Sequence, residues 1–288
     1  MPAAPFSVII PAHNEGNVVR RCLEAVYRDA PQDALPEVIV AANGCTDDTV
    51  AVARDAAPLA RVLDLPVGSK VIAMNEANAL ASATPRLFLD ADVQCDYASL
   101  AATADVLRQP GVMAASPALR MDLSRCDRWV KAYYRVWLTQ PYVTDRLVGS
   151  GLFGLSREAV ERVMPLPEVI ADDLYVKESF TPEERRNISK DCNGESCFFV
   201  VYPPRTAFDQ IRVEERRLRG NIQLARREAS GNKNRTRMRF RFRNTEEMKL
   251  LDIVAYVIIK SAVRILYRIN KLRGWSDEWT RDEGARAG

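Results

Sequence analysis

The sequence holds a single histidine, His13, and none of its six cysteines forms a Cys-x-x-Cys pair. A zinc centre of cysteine and histidine ligands is not expected, because Cys-x-x-Cys pairs and a second histidine are both missing. The cysteines (Cys22, Cys45, Cys95, Cys126, Cys192, Cys197) are scattered, which points to reduced, intracellular thiols rather than a disulfide framework. No stretch reaches the ~18 uninterrupted apolar residues of a membrane span. The opening MPAAPFSVII has no basic residue and too short an apolar run for a secretory signal. Internal repeats and long linkers are also absent.

What is present is an ordinary globular composition, 47% hydrophobic and 27% charged over 288 residues. That length allows one large domain or two small ones, with ample core. Charge is distributed unevenly. Residues 212–243 hold twelve Lys/Arg against three Glu, although the whole chain is only +3. The remainder is therefore net acidic, and the basic segment calls for an anionic partner.

The first 110 residues alternate short β-branched runs with helix-like stretches. SVII (7–10), EVIV (37–40), 61–65 and RLFLD (86–90) read as strands. Residues 15–28, a stretch from about Thr49, and 70–81 read as helices. This alternation predicts an α/β fold, with a mainly parallel sheet covered by helices on both faces. In such sheets ligands sit beyond the carboxyl ends of strands. PAHNE (11–15) and the acids Asp90 and Asp92 fall at two such ends. Further on, 113–121 reads as extended, 126–137 as helical, and VGSGLFG (148–154) leads into a helix from about Ser156. CFFVVYPP (197–204) is a strand ended by prolines. Residues 208–227 and 248–271 read as helices, and Lys or Arg occupies every second position from 233 to 243.

SVIIPAHNE, VIVAANGCTDDT, GSKVIAMNEA and LFLDADV, in this order and at these intervals, resemble the family 2 glycosyltransferases of GT-A fold. The likeness spans roughly residues 6 to 220. No single motif is specific; the ordered set carries the signal. The resemblance implies a GT-A, Rossmann-like domain over 1–230, with a nucleotide-binding half at 1–95 and an acceptor-side half at 96–230. Residues 231–288 form a basic segment and an amphipathic C-terminal helix. The implied activity is transfer of a sugar from a nucleotide-diphosphate donor to an acceptor hydroxyl, with inversion and a divalent metal.

The chemistry of the acids agrees. The departing diphosphate gathers negative charge, and a hard cation, Mn²⁺ or Mg²⁺, neutralises it through oxygen ligands. By resemblance to the family's DxD motif, Asp92 ligates the metal. Asp90 reaches the ribose, or the metal through water, with Ala91 between them in the nucleotide site. Two solvated acids on a surface turn are the alternative for this pair taken alone. Pro11, Ala12 and Glu15 match the loop that cradles the nucleoside, with Glu15 toward the ribose. His13 is expected only to pack or hydrogen-bond in that loop. Asn43 stands in the turn where the family commonly has acids, so the base is not named. Thr46 is expected to cap the next helix. Lys70 matches a basic position near the nucleotide.

ADDLYV (171–176) resembles the acidic motif that supplies the general base, which takes the acceptor's proton. Asp173 is expected in that role, with Asp172 supporting it; both acids would also suit a helix start. Arg216, Arg217 and Arg219 are expected near the diphosphate, with a solvated helix face as the alternative for any one of them. The Gln-x-x-Arg-Trp signature of processive relatives is missing from 212–220, which implies addition of a single sugar. GSGLFG (149–154) fits Gly-x-Gly-x-x-Gly, but the first βαβ unit lies far upstream. Its glycines instead suit close backbone approach to a sugar. Phosphatases of the haloacid-dehalogenase type are set aside because Gln94 replaces their Thr or Val. Sugar-phosphate nucleotidyltransferases are set aside because their glycine-rich start is absent.

The expectation is therefore a cytoplasmic enzyme, peripheral on the inner face of a membrane, working in cell-surface polysaccharide or glycolipid synthesis. Its acceptor would be a carbohydrate or lipid-linked, and a homodimer fits equally. Residues 231–271 would meet an anionic membrane surface, and no nucleic acid is expected. Lys260, Arg264 and Arg268 lie at i+4 spacing on the last helix, where core packing and interfacial membrane binding both fit. The alternative from another class is a non-catalytic anion-binding protein on the same scaffold, gripping a membrane surface or nucleic acid.

Overall fold

The computed structural model describes residues 5–144, 148–228 and 249–273. Its first half alternates strand and helix: β1 (Ser7–Ala12), α1 (Val19–Tyr27), β2 (Glu37–Asn43), α2 (Thr49–Ala56), β3 (Arg61–Leu65), α3 (Lys70–Leu80) and β4 (Arg86–Leu89). Successive residues of each strand enter different cores. Val8, Ile10, Val38, Val40, Leu87 and Leu89 pack on one face of the sheet with α1 and α2. Ile9, Ile39, Ala41 and Phe88 pack on the other with α3. Side chains alternate across a strand, so burial of both faces demands an unbroken apolar run, the pattern seen in the sequence.

The second half continues with β5 (Gln94–Cys95), α4 (Tyr97–Leu107), β6 (Ala114–Met121), α5 (Arg128–Trp137), α6 (Pro141–Thr144), β7 (Leu152–Leu155), α7 (Arg157–Val163), α8 (Asp172–Ser179), β8 (Arg185–Ile188), β9 (Phe198–Val201), α9 (Ala207–Glu228) and α10 (Leu250–Leu272). The nine strands among the described residues join one sheet in the order β3-β2-β1-β4-β7-β6-β9-β5, with β8 beside β6. Strands β1 to β4 pair in parallel. β7 is antiparallel to both β4 and β6. The expected mixed, mainly parallel sheet with helices on both faces is what forms. Pro117 sits mid-strand in β6, where the partner changes: β8 pairs residues 114–117 and β9 pairs 118–121. A residue without an N–H is tolerated where one ladder stops and another begins.

Two local expectations are corrected. Helix α1 begins at Val19 rather than Glu15. Asn14 takes a left-handed turn (φ 52°), and Gly16 lies so close to Asp48 that a Cβ would fall 2.0 Å from Asp48 Oδ1. Thr46 does not cap α2; its N–H and hydroxyl bond Asn14 Oδ1, and Asp47 Oδ1 accepts from Thr49 instead.

The terminal helix α10 packs on α5 and α9 through Tyr256, Ile259 and Val263, against Tyr133, Tyr134, Trp137 and Ile211. Arg135 of α5 grips both oxygens of buried Asp252, at 3.0 and 2.6 Å. Lys260 is drawn inward to Glu214 and lies over the rings of Tyr133 and Tyr256. Of the expected basic stripe, Arg264 and Arg268 are exposed while Lys260 is half-buried. The alternating segment 233–243 lies outside the described residues.

The hydrogen bonds from Arg135 hold the Asp252 carboxyl below its usual range. A carboxyl depressed in the fold stabilises above its unfolded pKa and loses that contribution as pH falls through the folded value. Asp252→Asn is therefore expected to lower the melting temperature at pH 7, with the gap to wild type closing below about pH 4. A gap that persists unchanged in acid would contradict this account of how α10 is fastened.

Candidate active site

Because β1 is flanked by β2 and β4, all three parallel, their carboxyl ends lie together. A cleft of about 130 Å³ opens there, lined by Pro11, His13, Glu15, Asn43, Lys70, Asp90, Ala91, Asp92, Ile170, Asp172 and Arg216. A larger depression of about 420 Å³ lies at the start of β4, around Thr84, Pro85 and Arg108. Glu158 is the single acid lining it, whereas the smaller cleft gathers Glu15, Asp90, Asp92 and Asp172 with Lys70 and Arg216.

Backbone packing builds this cleft. The Asn43 amide donates to the carbonyls of Ala12 (2.9 Å) and Ala41 (3.2 Å), tying the ends of β1 and β2 together. Gly44 has φ +56°, and a Cβ there would meet Gly68 N at 2.7 Å. Only glycine permits both the turn and the approach. That contact brings the start of α3 against the end of β2. Ser69 caps α3, its Oγ accepting from Ile72 N–H, and Lys70 is the first helical residue.

Lys70 Nζ then contacts Asp90 Oδ1 at 2.7 Å and Asp172 Oδ2 at 2.9 Å. Burial alone would lower its pKa, but Asp172, Asp90 and Asp173 outweigh this and hold it well above its usual value. Burial raises the Asp90 carboxyl to about 7; Lys70 opposes this, and the neighbouring acids add to it. Burial and Asp172 raise Asp173, against Lys70, the Ser150 N–H and Arg217. Asp172 and Asp173 occupy the first turn of α8, where the helix dipole favours negative charge.

The segment 149–151 holds Asp173. Ser150 (φ 65°) donates its N–H to Asp173 Oδ2 at 2.6 Å. Gly149 (φ +110°) leaves no room for a side chain, since a Cβ would lie 2.8 Å from Asp173 Cβ. Asp173 Oδ1 is shielded from solvent and has no hydrogen-bond partner. Among the described residues, no three His, Cys, Asp or Glu side chains are grouped to hold a metal unaided. The donors at the cleft are carboxylate oxygens, which suit a hard cation, and Lys70 already engages Asp90. This donor set suits a divalent ion that takes most of its ligands from bound oxygens rather than from the chain.

The glycosyl transferase family 2 model matches residues 7–157, more than half of the chain. The chain belongs to glycosyl transferase family 2. It is a glycosyltransferase. No curated protein sequence is a significant match. Among solved structures, a mannosyltransferase from Pyrobaculum calidifontis, in complex with GDP-Man and Mn²⁺, superposes with a TM-score of 0.58 at 19% identity, covering 94% of this chain and 81% of that one. Glucosyl-3-phosphoglycerate synthase from Mycobacterium tuberculosis, in complex with phosphoglyceric acid, gives a TM-score of 0.49 at 19% identity, over 69% and 71%. The first of these supports the GT-A fold.

In this glycosyltransferase the cleft brings together nine residues singled out in the sequence: Pro11, Glu15, Asn43, Lys70, Asp90, Ala91, Asp92, Asp172 and Arg216. Ala12 is buried in β1 and contributes its carbonyl to Asn43. Arg217 does not line the cleft. It pairs with Glu214 at 2.8 Å and lies over Trp137. Arg219 is buried and pairs with Glu215 at 3.1 Å. His13 makes the expected loop bond, to Asn43 O, but also lines the cleft, as does Ile170. The contact of Ser150 with Asp173 was not foreseen. The glycines on either side of Ser150 were its visible signal.

Proposed function

We propose that the protein transfers one sugar from a nucleotide-diphosphate donor to an acceptor hydroxyl, with inversion, in a divalent-metal-dependent reaction. The observation that carries this is the convergence of Lys70, Asp90, Asp92, Asp172 and Arg216 on one cleft in a chain of this family. Pro11, Glu15 and Asn43 line the nucleoside side of the cleft. Arg216 and Lys70 face the diphosphate, and preorganised positive charge there lowers the barrier as the leaving group gathers charge. Asp92 would hold Mn²⁺ or Mg²⁺, which neutralises diphosphate charge when bound. The Mn²⁺ and GDP-Man bound to the Pyrobaculum enzyme support the assignment.

Asp173 is the base. Its Oδ2 is fixed by the Ser150 N–H, and Oδ1, shielded and without a hydrogen-bond partner here, takes the acceptor's proton once the acceptor seats beside it. The raised pKa suits a base more than an ordinary carboxylate would. Asp172 positions Lys70 between the donor-side and acceptor-side acids. The acceptor is a carbohydrate or lipid-linked hydroxyl, in cell-surface polysaccharide or glycolipid synthesis.

The stereochemical part is open to direct test without the acceptor, since water can replace it. Slow hydrolysis of the donor, followed by proton NMR before mutarotation, should release sugar with inverted anomeric configuration. Release with retained configuration would contradict a single displacement.

A further inference from the structure

Helix α10 turns two faces to two environments. Asp252, Tyr256, Ile259 and Val263 are buried. On the opposite side Leu251, Val254, Ile258, Ile265, Ile269 and Leu272 are exposed, from 40% at Ile269 to 88% at Leu272. Their spacing of three, four or seven residues makes one continuous stripe. Over 23 residues the stripe runs about 34 Å. Isolated exposed apolar residues need no explanation, but a stripe of this length does. Exposed Arg264, Arg268 and Lys271 border it along one side. The helix's one acid, Asp252, is buried and held by Arg135.

We propose that this face docks α10 flat on an anionic lipid surface, with the apolar stripe among the acyl chains and Arg264, Arg268 and Lys271 at the headgroups. Charge selects this occupant over the alternatives. A second copy would bring the same positive charges and no exposed acid from α10. The stretch 233–243 is itself basic. The tail 274–288 has four acids, but Trp275 and Trp279 are its only large apolar residues, against eight exposed on the helix. No helix among the described residues is long and apolar enough to cross a membrane, so the geometry is that of a helix lying in the interface. The proposal does not depend on the transfer chemistry.

Co-sedimentation of the full chain with phosphatidylcholine vesicles, with and without phosphatidylglycerol, tests it. Binding is expected to the anionic vesicles only, weakening as salt is raised. The pairs Ile258→Asp with Ile265→Asp, and Arg264→Glu with Arg268→Glu, should each weaken binding by more than about tenfold, with melting temperatures near wild type. Equal binding to both vesicle types would overturn the proposal, as would binding to neither. If the stripe variants instead dissolve a dimer seen by light scattering, the face belongs to a second copy and the proposal fails. If a chain ending at Arg273 binds where the full chain does not, the face belongs to the tail, and it fails as well.

Discussion

Asp173→Asn should abolish most sugar transfer, by about 10²–10⁴-fold in kcat, while leaving donor binding near wild type. The amide oxygen can still accept the Ser150 N–H that now bonds Oδ2, so the side chain keeps its place. The substitution removes the basic lone pair and little else. Asp173 is also absent from the residues that line the donor cleft, so nucleotide affinity has no direct reason to fall. Rates with donor in excess, set beside nucleotide titrations, separate the two effects. Retained transfer would remove Asp173 as the base. Joint loss of binding and transfer would make it a structural residue of the 149–151 turn.

Lys70→Met should destabilise the protein and weaken donor binding together. One ammonium touches Asp90 and Asp172 and is felt by Asp173. Without it, three neighbouring carboxyls face one another across an enclosed cleft. Removing one partner of a fully buried pair costs about 3–5 kcal/mol. Here Lys70 and Asp90 keep 26% and 33% of their side-chain exposure, so solvent screens part of the penalty and about 1–3 kcal/mol is expected. Lys70→Arg, which keeps the charge, should recover much of the stability. Denaturant unfolding of the three proteins measures this directly. A Met variant as stable as wild type would show that the lysine does not hold the acids together.

Much of the fold, and of the lining of the candidate cleft, was legible in the sequence for physical reasons. Strands buried on both faces must be apolar throughout, so β1, β2 and β4 stood out, and so did the acids at the end of LFLDADV. Helices α9 and α10 were found to within two residues by their periodicity. The rest depended on distance in space. β5 has two residues and β8 has four, and each exists only because β9 or β6 lies beside it. The link from Lys70 to Asp172 joins residues about a hundred positions apart. Ser150 acts through its backbone N–H, which no residue type announces. The sequence placed Arg217 near the diphosphate and Lys260 on a basic stripe that fits core packing or a membrane surface. Buried Glu214 pairs with both, and a buried acid reveals its partners only once the helices are packed.

The most direct test of the central claim is a thermal-shift titration with UDP, GDP, CMP and dTDP, each with and without Mn²⁺, on wild type and Asp92→Ala. The account predicts that one diphosphate stabilises wild type in the presence of metal, and that Asp92→Ala loses this stabilisation while remaining folded. Absence of stabilisation by every nucleotide, in a protein that melts cooperatively, would contradict a donor site in this cleft and favour an anion-binding role without transfer.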